Sequence, residues 1–303
     1  MKNKKSRNSI KKYLSLHLKY LSSNLKYLST VFPALIWLIV FFVMPLLFIV
    51  VVSFSTRGEV GNIIYKFTLE NYIRLLDPLY INIFLKSILI ATYTTMLCLI
   101  FGYPFAYIIA NVNKKFKPLL LLLIILPFWT NSLVRTYAII VLLKTEGIIN
   151  TLLLHFHIIN IPLNLMYNNF AVMIGMLYMM FPFMVLPLYT SIEKLDTRIL
   201  DAASDLGAGP FYKFIKIILP LTKGGIVSGS ILVFIPTLGL FFVTDLMGGS
   251  KVILMSNLIK NQFLTARDWP FGSAISVILI IVMLSVILYS TKLTGTKGTK
   301  EVL

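Results

Sequence analysis

The chain has 303 residues, 58% of them hydrophobic and only 13% charged, with a mean hydropathy of +0.87. That balance excludes an ordinary soluble domain and points to an all-α, polytopic membrane protein. The net charge of +17 is better explained by membrane topology and anionic inner-leaflet lipid than by nucleic-acid binding.

Residues 1–30 form a basic segment in which Lys12-Tyr13-Leu14-Ser15 recurs as Lys19-Tyr20-Leu21-Ser22 and Lys26-Tyr27-Leu28-Ser29. On a helix, Leu14, Leu18, Leu21, Leu25 and Leu28 would make one stripe, as expected for an amphipathic helix lying in the inner membrane interface. A coiled-coil arm is the competing reading.

Six apolar runs follow, near 31–54, 83–110, 118–143, 169–189, 224–245 and 272–291. Each approaches or exceeds the roughly 20 residues needed to cross a hydrocarbon core about 30 Å thick. The first run is longer than the apolar region of a signal peptide and is expected to be retained. The single cysteine, Cys98, lies in the second run, so no intramolecular disulfide and no cysteine-based metal site is expected. Lys and Arg concentrate before residue 31, in 111–117, in 190–223 and after 291, with nineteen there against seven in the alternate segments. Both termini and the 190–223 loop are therefore expected in the cytoplasm.

The third run is interrupted by Pro127, Thr130, Asn131, Ser132, Arg135 and Thr136. Two readings fit: a helix lining a polar cavity, or helix packing through hydroxyl groups. Arg135 would repel a cationic solute, so it is expected to be structural, paired with Asp245 or with a carboxylate on a partner. His155 and His157 follow without a ligand cluster and are read as loop residues, with no metal site expected.

Between the fourth and fifth runs lies a polar island. Leu195, Ile199, Ala203 and Leu206 recur at helical spacing, and Thr190 with Glu193 offers a capping box at the start. Gly207 stands where a helix ends in a left-handed residue. Pro210 then opens a second helix carrying Phe211, Phe214, Ile215 and Ile218 until Pro220 breaks it. The pattern reads as two short helices joined by a glycine elbow, a docking device for another protein; an ordinary solvated loop is the plainer alternative.

Near the outer end of the fifth run, Phe241 and Phe242 precede Asp245 by one turn. Aromatic faces with a carboxylate suit an ammonium group; the plainer alternative is bundle packing with Asp245 solvated. Asp268 and Trp269 are a second outer-rim candidate, although Trp269 also suits an interfacial anchor. An ion-coupled secondary transporter of a small cationic solute is the alternative function, but no repeated pair of spans is visible. A membrane enzyme lacks a reactive constellation.

The polar island resembles the coupling motif of ABC importer permeases. Ala202, Ala203, Gly207, Ile217, Leu219 and Pro220 match in register the pattern Glu-Ala-Ala, three residues, Gly, nine residues, Ile-x-Leu-Pro, with Asp201 in place of the usual glutamate. Residues 126–135, 187–196, 239–249 and 267–272 are similar to stretches of the spermidine/putrescine importer permeases, and the likeness covers about 31–290.

The resemblance implies a type I importer permease domain of six transmembrane helices over 31–292, with its coupling loop at 190–223; the basic segment at 1–30 is not part of the likeness, and a tail at 293–303 follows the domain. The resemblance also implies ATPase coupling through Asp201, Ala202, Ala203, Asp205, Leu206, Gly207 and Ala208. For the polyamine path that such a domain would hold, the chemistry of the residues offers Phe241, Phe242, Asp245, Asn131, Thr130, Asp268 and Trp269 as candidates. The implied partners are a second homologous permease, two copies of a cytoplasmic ATPase, and an extracytoplasmic polyamine-binding protein in a bacterial inner membrane. This sequence spells no Gly-x-x-x-x-Gly-Lys-Ser/Thr phosphate loop. ATP and Mg are therefore expected on the partner ATPase, with no catalytic residue or cofactor on this chain.

Overall fold

Backbone polar groups in lipid must be satisfied within their own segment, which favours helices throughout an apolar chain. The computed structural model describes residues 31–59 and 61–294; the heptad repeat before residue 31 and the tail after 294 lie outside the described residues.

Helix α1 (Val31–Ser53) is apolar all round. Pro45 cannot donate to the carbonyl one turn back, and the helix widens into a π turn over Ile39–Val43 just before it. A small hairpin pairs β1 (Thr56–Arg57) with β2 (Ile63–Ile64), Thr56 opposite Ile64. The short α2 (Glu70–Arg74) leads to α3 (Pro78–Asn111), whose 34 residues are capped by Asp77, its carboxylate accepting from the Leu79 N–H at 2.8 Å.

Next come α4 (Lys117–Ile125), α5 (Ser132–Leu143), α6 (Ile148–His155) and α7 (Asn169–Glu193). The polar island folds as α8 (Thr197–Asp205) and α9 (Pro210–Leu221), followed by α10 (Lys223–Gly239), α11 (Met255–Leu264) and α12 (Trp269–Thr294).

At the centre α3, α7 and α10 pack on one another. Met176, Met180 and Met184 of α7 are buried in that core with Ile109 of α3 and Val233 of α10. Glycine permits the close approach of α10: a Cβ on Gly225 would stand 2.5 Å from the Ser191 Cβ, and one on Gly229 2.8 Å from the Met184 sulfur. A second core joins Phe271, Ala274, Ile275 and Leu279 of α12 to Leu238, Met255 and Leu258. α1 lies along α12.

Five helical stretches are long and apolar enough to cross a membrane, and α9 with α10 makes a sixth if that pair, bent by 66°, counts as one. Three expectations need correction. The third run is not one helix: α4 tightens into a 3-10 turn at Leu126–Trp129, and Thr130 is extended before α5 begins. Pro127 removes a donor there, while Asn131 offers a better start by capping α5. The fifth run stops at Gly239 rather than 245, giving way to a short turn and a π turn over Thr244–Gly248. Thr190 and Glu193 form no capping box: both belong to α7, where the Thr190 hydroxyl donates to the Leu186 carbonyl at 2.9 Å.

Candidate functional site

The break after Gly239 places Phe241, Phe242 and Asp245 on irregular backbone, where side chains escape the register of a straight helix. α11 lies against it and supplies Asn257 and Lys260 from one face, three residues apart. The Asp245 carboxylate accepts from the Asn257 amide and from the Lys260 ammonium, each at 2.5 Å. Asn257 also donates to the Phe241 carbonyl at 3.0 Å, and its own oxygen accepts from the Leu254 N–H at 3.1 Å. The Lys260 nitrogen stands 5.9 Å from the centre of the Phe241 ring, and the two phenylalanine rings meet edge to face at 6.2 Å.

Both members of the ion pair are partly open, the side chains being 33% and 27% exposed for Asp245 and Lys260. The site therefore already holds a primary ammonium between a carboxylate and an aromatic face. Asp245 is not the partner of Arg135; that expectation is replaced by the pair with Lys260. Asn257 and Lys260 fall between the fifth and sixth apolar runs, where nothing in the sequence singles them out. Their i, i+3 spacing was the available signal, but nothing in the sequence aligned it with Asp245.

The other path candidates lie apart from this cluster. The Thr130 hydroxyl donates to the Pro127 carbonyl at 2.6 Å, and the Asn131 side chain accepts from the Leu133 N–H at 2.8 Å. Both residues are exposed and serve the broken helix; neither hydrogen-bonds to the Asp245 cluster. Arg135 lies 4.4 Å from the Phe128 ring centre.

Asp268, read from the sequence as a rim carboxylate, is 3% exposed. One oxygen accepts from Arg74 at 2.8 Å and the other from the Phe271 N–H at 3.2 Å, while Arg74 lies 3.9 Å above the Phe271 ring. This is a clamp joining α2 to the start of α12, and the rim reading of Asp268 is corrected accordingly. Trp269 is 43% exposed and meets Phe263 edge to face at 5.4 Å. No group of three or more His, Cys, Asp or Glu side chains is placed to hold a metal among the described residues.

At the opposite functional region, α8 starts on Asp196, whose carboxylate accepts from the Arg198 N–H at 3.0 Å and pairs with the guanidinium at 2.7 Å. The Arg198 contact holds the Asp196 carboxyl below its usual range. No residue of α8 is buried. The elbow is built as expected: Gly207 has φ +80°, donates to the Ser204 carbonyl at 2.9 Å, and is followed by Ala208 donating to the Ala203 carbonyl at 2.9 Å. The Lys213 ammonium reaches the Ser204 hydroxyl at 2.9 Å and ties α9 to α8.

Asp201, Ala202 and Asp205 are exposed, Ala203 and Ala208 partly so, while Leu206 and Phe211 are 89% and 75% exposed. Beneath this surface, Phe214 packs on Tyr103 at 5.5 Å, and the Tyr103 hydroxyl meets that of Thr222, at the bend between α9 and α10, at 2.8 Å.

Residues 102–292 match the family model of the binding-protein-dependent transport system inner membrane component. The chain is 51% identical over 247 residues to the spermidine/putrescine transport system permease protein PotB of Escherichia coli (strain K12), covering 82% of this chain and 90% of the relative. It is 47% identical to PotB of Haemophilus influenzae (strain ATCC 51907 / DSM 11121 / KW20 / Rd), covering 82% and 86%. A chain of a bacterial alginate ABC transporter, solved in complex with an alginate pentasaccharide-bound periplasmic protein, superposes with a TM-score of 0.75 at 13% identity, covering 91% of this chain and 96% of that one.

Proposed function

The chain belongs to the family of binding-protein-dependent transport system inner membrane components, and we propose from this premise that it is the permease subunit of a spermidine/putrescine ABC importer. The observation that carries the choice of cargo is the Asp245 carboxylate holding the Lys260 ammonium beside the Phe241 ring. Lys260 is a tethered copy of the group that every polyamine presents at its ends. A permeating polyamine exchanges with it, offering the same charge-assisted hydrogen bonds and the same contact with the aromatic face. Asn257 keeps the carboxylate oriented during the exchange.

The proposed assembly pairs this chain with a second homologous permease in a bacterial inner membrane, both termini cytoplasmic, with two ATPase subunits below and a polyamine-binding protein outside. ATP and Mg bind on the ATPases. The exposed α8–α9 elbow, with Asp201, Ala202, Ala203, Asp205, Leu206, Gly207 and Ala208, seats in an ATPase groove. When the ATPases close, α9 moves with them. The bend at Thr222 passes the motion to α10, and the Tyr103–Thr222 contact passes it to α3.

Uptake of labelled spermidine into proteoliposomes holding the assembled complex and binding protein tests this reading. Uptake that needs internal ATP and survives collapse of the proton gradient supports it. Uptake abolished by gradient collapse and indifferent to ATP would support a secondary transporter instead.

A further inference from the structure

A hydroxyl buried without a hydrogen-bond partner costs a protein stability, so one that stands beside a binding site calls for a physical reason. Ser256 carries such a group: the residue is 7% exposed, and its Oγ is buried with no partner among the described residues. Helical hydroxyls such as those of Ser87, Thr92, Thr95 and Thr136 donate to the carbonyl four residues back, at 2.7 to 2.9 Å. Ser256 lies in the first turn of α11 and makes no such bond.

Thr94 Oγ1 and Gln262 Oε1 share this condition. Thr94 is fully buried within α3, and Gln262 turns to the start of α12, its Cβ 3.2 Å from the place a Cβ on Gly272 would take. Of the three, Ser256 is the one that stands one turn before an ion-paired ammonium, that of Lys260.

Residues four apart share a helix face, with Cβ atoms about 5–6 Å apart, and helical side chains lean toward the N-terminal end. The Lys260 stem therefore leans over the turn that holds Ser256 and Asn257. The shared carboxylate shows that it does so: Asp245 accepts both from Lys260 and from Asn257, three residues earlier. A cargo ammonium arriving from outside does not meet the Ser256 oxygen, which is buried. The tethered ammonium of the same helix face does.

We infer that Ser256 is a parking place for the Lys260 ammonium: when a polyamine takes the Asp245 carboxylate, Lys260 withdraws to the Ser256 hydroxyl, whose oxygen accepts one of its N–H donors. The inference rests on the reading of Asp245 as a polyamine site, and it adds what becomes of the displaced cation. Lys260 is only 27% exposed, so water alone replaces its lost hydrogen bonds incompletely, and that deficit would weaken every polyamine that binds. Lys260 is thus a built-in competitor whose strength Ser256 limits. Ser256 is a positioning residue, acting through Lys260 without touching the cargo.

The test is spermidine uptake by the full complex in proteoliposomes, with the spermidine-loaded binding protein varied in concentration. Ser256→Ala should raise the half-saturating concentration about ten-fold, the scale of one hydrogen bond to a charged group, and leave the rate at saturation within about two-fold. Lys260→Met, which removes the competitor, should still transport, and in that background Ser256→Ala should shift neither value by more than about two-fold. No effect of Ser256→Ala in the wild-type background, or an equal effect in both backgrounds, overturns the inference. So does a Lys260→Met complex that takes up no spermidine.

Folding is read separately. Ser256→Ala removes a hydroxyl that has no partner while Lys260 holds Asp245, so the complex should melt at or above the wild-type temperature. A lower melting temperature would mean that the hydroxyl already has a partner, and would overturn the proposal. If the wild-type complex takes up no polyamine, the cargo reading fails and this inference with it; if it takes up spermidine and Ser256→Ala matches it, only this inference fails.

Discussion

Asp245 is met near the bundle by Lys260 and Asn257, which come to it from a separate helix. Removing the charge while keeping the shape tests whether it serves transport or assembly. Asp245→Asn should lower spermidine uptake at limiting substrate about ten-fold or more, the scale of a lost charged hydrogen bond, while the subunits still co-purify; undiminished uptake would take Asp245 out of the path. Since Asp245 and Lys260 share one interaction, Asp245→Asn and Lys260→Met should be non-additive in thermal stability by about 0.5–3 kcal/mol, and strict additivity would deny the pair. Asp268 makes the contrasting case. Asp268→Asn should cost about 1–3 kcal/mol of stability through the Arg74 contact and the α12 cap, with the spermidine KM unchanged; a raised KM in a stable variant would return Asp268 to the path.

Among the elements, the elbow between α8 and α9 was the most legible in the sequence, because Gly207 and Pro210 act through local backbone geometry that needs no tertiary partner. Gly207 has φ +80° and nothing lies within 4 Å of the place a Cβ would take. A substitution there therefore meets no neighbour, and its cost is conformational. Gly207→Val should weaken ATPase co-purification, strained by about 1–3 kcal/mol, and Gly207→Asn much less, since asparagine tolerates the left-handed region; equal losses for both would point to sterics in the ATPase groove instead.

Helix packing is the reverse case. Gly229→Leu drives a side chain into Met184 between α10 and α7, and should lower the melting temperature by an overpacking cost of about 1–3 kcal/mol or more. The spans themselves were readable from hydropathy, but the stops at Trp129 and Gly239 were not. Hydropathy runs straight through Pro127 and Leu240, whereas capping by Asn131 and the docking of α11 decide where each helix ends. Lys260 was missed for the same reason: its meaning comes from α11 folding back onto the Phe241–Val243 turn.

On the scale of the whole molecule, two features are joined by one bundle. The exposed elbow offers Leu206 and Phe211 to a partner, and the Asp245 site presents an ammonium-binding arrangement, with α10 running from the Thr222 bend toward it. These ends are coupled in the proposed importer, so that cargo chemistry at one end governs ATP hydrolysis at the other. The measurement that tests it most directly is ATPase activity of the co-expressed complex in lipid nanodiscs, with the candidate binding protein and spermidine, putrescine, a neutral sugar or an amino acid added in turn. A polyamine should stimulate hydrolysis and neither of the other two should. Stimulation by the sugar or the amino acid alone would contradict the cargo assignment, and a complex that assembles with no ATPase would contradict the coupling itself.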